Sequence, residues 1–180
     1  MITREQYKPG PATGAEVRKN GDEWTLVLVR DFAQAPALVW KALTDPAELR
    51  EWAPFESDRD LGSVGTATLT TVGAPQVQQS HIKRAEPVKV LEFDWGGQNI
   101  RWELEPRSGG GTRLTLWHNI DRRYIAMGAA GWHIALDVLA HFLDADPLGR
   151  MVGPELMKFG PWQQLHREYA KQFGVELPTW

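Results

Sequence analysis

Residues 128–143 read GAAGWHIALDVLAHFL, and no other stretch constrains the fold as tightly. At 3.6 residues per turn, Trp132, Leu136, Leu139 and Leu143 form one apolar stripe, flanked by Ala129, Ala135, Ala140 and Phe142. A stripe that wide needs a large surface to cover. His133, Asp137 and His141 fall together on the opposite side, and Ile134 and Val138 make a second, smaller apolar flank. The pattern predicts a helix laid across a sheet. The preceding chain then has to build that sheet, and the following chain is placed to cover Ile134 and Val138.

The text before the helix reads as strands. Asn20-Gly21 separates AEVRK from EWTLVLVRDF, a favoured two-residue hairpin sequence because both positions tolerate positive φ. In the second of these runs Trp24, Leu26, Leu28 and Arg30 alternate with Thr25, Val27, Val29 and Asp31. Pro36 suits the first turn of a helix over 36–43, and Asp45-Pro46 ends that helix and caps a short one over 47–52. Strands are expected over 65–73, 76–85, 89–95, 99–106 and 112–120, with Gly109, Gly110 and Gly111 in a hairpin loop. Connections this short select an antiparallel meander, since a parallel sheet needs long crossovers. The inward groups by alternation are Leu91, Phe93 and Trp95; Ile100, Trp102 and Leu104; and Leu114, Leu116 and His118.

Residues 1–14, with Pro9 and Pro11, read as a loosely held arm, and 15–180 as one domain with its core over about 24–143. Residues 144–153 form a turn-rich link. From Pro154 onward Trp162, Leu165, Tyr169 and Phe173 fall on a helical stripe that Gly160-Pro161 must break or kink.

Three stretches, VWKALTDPAELREW (39–52), GTRLTLWH (111–118) and AAGWHIALDVLAHFL (129–143), resemble the START-like (SRPBCC) superfamily. Within it they resemble the bacterial members of the family named for activators of Hsp90 ATPase. The tail PWQQLHREYAKQFG is similar to a variant common in those members. The resemblance implies an α+β helix-grip fold, a curved antiparallel sheet wrapped around the long helix, with an extra terminal helix. It also implies an elongated cavity, used across the superfamily for lipids, polyketides, hormones and other apolar ligands. The motifs speak to fold more than to function, because most of their residues pack the core.

Nine tryptophans suit an aromatic-lined interior. Trp52, Phe55, Trp95, Trp102 and Trp132 are candidates to line one cavity, with Phe93, Leu116 and Leu136 on the same inward faces and His118 as a polar group to orient a ligand. The alternative is a filled core in which the tryptophans only pack. His118 is the one candidate for proton transfer, and a satisfied structural histidine is the plainer reading. Arg84, two residues from Ile82, is a candidate to point inward and meet an anionic ligand group, and an outward salt bridge is the plainer reading. The resemblance implies a polar or acidic residue on that strand, and arginine there puts acid chemistry at that spot in doubt. His133, Asp137 and His141 have spacing acceptable for a metal but lack an H-E-x-x-H arrangement and read as a solvated or oligomer-facing strip, so no metal is expected.

The absence of cysteine excludes disulfides and thiolate chemistry. A net charge of −3 gives no global attraction to nucleic acid or to an anionic membrane, and no apolar run approaches the roughly 18 residues of a span. No cofactor fingerprint is present, and a cytoplasmic protein is the default expectation. The first functional reading is a binder of a small apolar or aromatic molecule. The second is a cyclase-, aromatase- or hydratase-like enzyme using His118, and the third, ranked last, is a chaperone-interaction module. Thr115, Trp117 and Asn119 form a second face for a homodimer, unless the first hairpin or the terminal helix covers it.

Overall fold

The computed structural model describes residues 1–179. β1 (Ala15–Asn20) and β2 (Glu23–Phe32) form a hairpin, followed by α1 (Pro36–Thr44) and α2 (Pro46–Trp52). The strands β3 (Phe55–Ser57), β4 (Gly65–Thr71), β5 (Val77–Glu86), β6 (Val90–Trp95), β7 (Gln98–Pro106) and β8 (Thr112–Asn119) come next, then α3 (Ile125–Leu143), α4 (Pro154–Met157) and α5 (Gly160–Phe173). The eight strands make one antiparallel sheet in the order β1-β2-β8-β7-β6-β5-β4-β3. It curves as a half-barrel around α3, which is the helix-grip fold.

Register explains why the sheet holds the helix. Leu26, His118, Ile100, Phe93 and Ile82 are successive cross-strand partners from β2 to β5, and Leu28, Leu116, Trp102 and Leu91 form the next row. Period-2 alternation puts each row on one face, and α3 covers that face with Trp132, Leu136 and Leu139, all buried. By length and hydropathy α3 would pass for a membrane span, but it is a core helix whose apolar sides are covered by sheet and α5. Ile134 and Val138, expected under the terminal helix, are fully buried where α5 docks along α3.

Local chemistry sets the ends of the elements. Asp45 accepts hydrogen bonds from the backbone N–H of Ala47 and Glu48 and caps α2 as expected. The first hairpin differs by one residue from the Asn20-Gly21 reading, because Asn20 pairs with Glu23 and Gly21 and Asp22 form the loop. Positive φ at Gly21 alone is the type II′ pattern, with glycine at the first central position. The break expected at Gly160-Pro161 falls just before it, at Lys158-Phe159 between α4 and α5, and Gly160-Pro161 form the first turn of α5. The short edge strand β3 carries no alternation long enough to read.

Two readings need correction. Arg84 is not an inward ligand contact but takes the outward salt bridge that is the plainer reading of its sequence position. A β-bulge between Ile82 and Arg84 inserts Lys83, so that Arg84 pairs with Glu92 and Ala85 takes the inward phase opposite Leu91. The guanidinium of Arg84 is half-exposed and makes an ion pair with Glu86. The arm and the polar strip of α3 are the second correction. Tyr7 is 4% exposed, stacks on Phe159 and donates a hydrogen bond from its hydroxyl to Asp137. Gln172 donates to the Ala12 carbonyl (2.7 Å), and the Tyr169 hydroxyl donates to that of Thr13 (3.2 Å). His133, 2% exposed, lies with Nδ1 2.7 Å from the Tyr169 hydroxyl. Arg30, on the inward phase of β2, brings a cation to 3.9 Å from Asp137. The strip is therefore the seat of the amino-terminal arm. Its polarity is matched by groups far away in sequence, which no helical wheel contains.

On the outer face, Trp117 lies between the guanidinium groups of Arg18 (4.9 Å) and Arg101 (4.7 Å). The first hairpin thus covers part of the face carrying Thr115 and Asn119. Tyr7→Phe removes a bond to a carboxylate that burial already disfavours, and should lower stability by about 2 kcal/mol in urea unfolding. An unchanged midpoint would mean that the arm is not fastened at Asp137.

Candidate functional site

The aromatic residues expected to line a cavity mostly fill the core. Trp52 and Trp102 are each 1% exposed and meet edge to face at 6.1 Å, and Trp102 meets Trp132 in the same way at 5.4 Å. Phe55 stands edge-on to Phe93 at 5.7 Å, and the Trp52 indole N–H donates to the Ala42 carbonyl at 2.9 Å. Together with Leu116 and Leu136 these rings form a packed wall, which corrects the reading of Trp52, Phe55, Phe93, Trp102, Leu116 and Leu136 as direct ligand contacts. Arg84 lies on the other side of the sheet.

A cavity of about 490 Å³ opens beyond that wall, at one end of the grip. Trp95, His118 and Trp132 form the part of its surface shared with the core. The β4–β5 turn at Gly73 and Ala74, the first half of α3 at Met127 and Gly131, and the segment from Val152 to α4 close the other sides, with Trp162 of α5 behind them. None of the lining side chains is Asp, Glu, Lys or Arg.

Glycines shape this space in two ways. A Cβ at Gly73 would stand 2.5 Å from Cδ of Pro154, and one at Gly153 would stand 3.1 Å from the Val72 carbonyl oxygen, with φ positive at both. The β4–β5 turn and the start of α4 can therefore touch, and the rim is closed on that side. Gly131 lies inside α3, yet a Cβ there would meet no atom within 4 Å. Its missing side chain is part of the cavity.

One chain of hydrogen bonds fixes the polar part of the surface. The Trp132 indole N–H donates to His118 Nδ1 at 2.9 Å, and His118 Nε2 lies 2.8 Å from Gln98 Oε1. An indole nitrogen only donates, so Nδ1 must be the acceptor and Nε2 carries the proton. Burial pushes the His118 pKa down to about 3, which agrees with a neutral ring. Both nitrogens are engaged, so His118 has no free lone pair with which to abstract a proton. Nearby, the Trp95 indole N–H donates to the Thr71 hydroxyl at 2.9 Å.

Of the residues singled out from the sequence, Trp95, His118 and Trp132 lie on this cavity, and its surface also includes Gln98, Gly131, the 152–157 segment and Trp162, which the sequence did not point to as lining it. The one available signal was glycine inside a strongly helical pattern at 128 and 131, which marks close approach or open space. Among the described residues no group of three metal-ligating side chains comes together.

A protein-family model described as activator of Hsp90 ATPase homolog 1-like protein matches residues 33–144. The chain belongs to this family. The match to the Hsp90-activator-like family includes Gln98, His118 and Trp132 and stops before the 152–157 segment and Trp162, so the cavity's outer wall lies outside the family match. Among solved structures, the chain is similar to a conserved protein of unknown function from Enterococcus faecalis, EF2215, at 16% identity and TM-score 0.69, covering 88% of this chain and 89% of that one. CalU16 from Micromonospora echinospora is 23% identical with TM-score 0.63, covering 88% and 98%. DynU16, from the dynemicin biosynthetic locus, is 20% identical with TM-score 0.62, covering 74% of this chain and 52% of that one. Identities this low show a shared fold. No curated protein matches the chain.

The depressed pKa of His118 has a consequence for stability. The unfolded chain takes up a proton near the ordinary value of 6.5, whereas the folded one resists until about 3. Stability is therefore full above about pH 6.5 and falls as pH drops, by up to about 1.4 kcal/mol per pH unit from this residue. Urea midpoints of wild type and His118→Gln across that range should diverge, the variant showing the shallower loss. Parallel profiles would contradict a buried neutral ring.

Proposed function

We propose that this protein binds a small, uncharged, apolar or aromatic molecule in the cavity between the β4–β5 turn, α3 and α4. The observation that carries the reading is a space of about 490 Å³ whose wall holds indole, thioether and aliphatic groups and no ionisable side chain other than a neutral histidine and the Tyr124 phenol. Concave, mainly apolar surfaces with a few fixed polar groups are what small-molecule sites consist of. An ionic ligand would lose its hydration there and find no counter-charge. The ligand role assigned to such cavities by the START-like resemblance points the same way, and the reading takes a diffusing small molecule as partner in a cytoplasmic setting. Catalysis through His118 has no support in the geometry, and the reading draws nothing from the chaperone in the family's name.

Gly131 offers the cleanest test. Gly131→Ala places a methyl group in open space and removes a helix-interior glycine, so it should raise stability by about 0.5–1 kcal/mol. Gly131→Leu fills the cavity from a position that supports no other contact. Titration with fluorene, followed by quenching of the tryptophans on the wall, should give saturable binding to wild type and at least roughly tenfold weaker binding to Gly131→Leu. Equal binding by both proteins would place the hydrocarbon elsewhere and remove the basis of the proposal.

A further inference from the structure

We infer that Gln98 is the specificity-determining donor of this cavity, and that the ligand carries a neutral acceptor oxygen, a ketone or quinone carbonyl on a ring system. The inference rests on the ligand-binding reading above and adds the chemical class. It follows from the direction of the hydrogen-bond chain. Trp132 Nε1 has only a proton to give, His118 Nδ1 must accept it, and the ring's remaining proton is on Nε2. That proton goes to Gln98, so the atom 2.8 Å away is the amide oxygen, and the amide cannot flip without placing two donors against each other. The Gln98 –NH2 is thereby turned away from His118. Among the described residues it donates to no protein acceptor, while its side chain lines the cavity.

The ring N–H groups on the sheet side of the cavity are already engaged. Trp95 donates to the Thr71 hydroxyl, Trp132 to His118, and His118 to Gln98. The sheet thus offers the ligand an amide with two unpartnered N–H groups, beside the Thr71 hydroxyl and framed by the faces and edges of Trp95 and Trp132. Trp95 and Trp132 meet edge to face at 5.9 Å, so a flat ring system lies against the surface they present to the cavity, and a carbonyl oxygen on its edge accepts from Gln98. A carboxylate would also accept, but no cation lines the cavity to hold its charge. A hydroxyl that must donate finds on the sheet only oxygens that already accept one bond, Gln98 Oε1 from His118 and the Thr71 hydroxyl from Trp95, whereas the two Gln98 N–H groups have no partner there. The position of Gln98 is itself fixed, since it begins β7 and pairs with Trp95 across the tight Gly96-Gly97 turn.

Fluorene and 9-fluorenone share a ring frame and differ by the carbonyl, so the pair isolates this bond. Wild type should bind 9-fluorenone about five- to tenfold more tightly than fluorene, the margin of one net hydrogen bond. Gln98→Met keeps the length of the side chain and removes the donor, and should bring the two affinities together by weakening 9-fluorenone alone. In wild type, the Gln98 side-chain amide proton in a 1H–15N spectrum should move further downfield with 9-fluorenone than with fluorene, the excess reporting the hydrogen bond, a readout independent of whether the variant folds. Equal affinity of wild type for both compounds, with no such downfield excess, overturns the role of Gln98 and leaves the cavity reading intact. Failure of wild type to bind either compound overturns both.

Discussion

The hydrogen bond from the Trp132 indole to His118 Nδ1 ties the long helix to the centre of the sheet through a polar ring set in an otherwise apolar row. Everything around it is arranged to keep it dry. His118 sits in a row of otherwise apolar side chains, between Leu26 and Ile100, and is 2% exposed. A polar ring in that position is tolerable only if both nitrogens are matched, and they are matched by two residues from other elements. The bond also selects the tautomer, and through it the orientation of the Gln98 amide. A packing requirement in the core is thus converted into a fixed donor on the surface of a cavity.

The cavity is where the packing stops. Trp52, Trp102, Phe55 and Phe93 fill the middle of the grip with rings in edge-to-face contact, at separations of 5.4–6.4 Å among the tryptophans Trp52, Trp102 and Trp132. Such density leaves no room there, so open space appears only at the end, where Gly131 contributes no side chain and the helix is roofed by a loop and a one-turn helix. That roof is held from outside. Arg4 of the arm donates to the Arg150 carbonyl at 2.6 Å, and Arg150 reaches Glu56 beside the sheet edge at 2.9 Å. The arm is therefore part of the structural support of the cavity, fastened at Tyr7 and Asp137 and bearing on the segment that forms the rim.

Much of the fold was legible because it is periodic. The stripe of Trp132, Leu136 and Leu139 declared a helix facing a sheet, and the alternations ending at Trp95, Leu104 and His118 declared the strands that meet it. What remained hidden depends on single residues that break a period or on partners distant in the chain. One extra residue, Lys83, turned Arg84 outward, and no composition rule predicts a bulge at that step. The His133–Asp137–His141 strip looked solvated because its partners, Tyr7, Arg30 and Tyr169, are supplied by the arm, the first long strand and the last helix. Whether a group of tryptophans packs or encloses space is a question of volumes, which side-chain identity alone leaves open. Gln98 escaped notice because its role comes from the orientation of its amide rather than from its type or spacing.

The most direct test is the state of the His118 ring in the protein at rest. Long-range 1H–15N correlation spectra should show the Nε2-protonated neutral tautomer, unchanged across the range of about pH 8 to 5 in which a free imidazole titrates. That result would establish the direction of the chain from Trp132 to Gln98 and with it the donor presented to the cavity. A ring that titrates near its ordinary value, or one protonated at Nδ1, would contradict the account, because Trp132 could then no longer donate to it and the Gln98 amide would be free to turn.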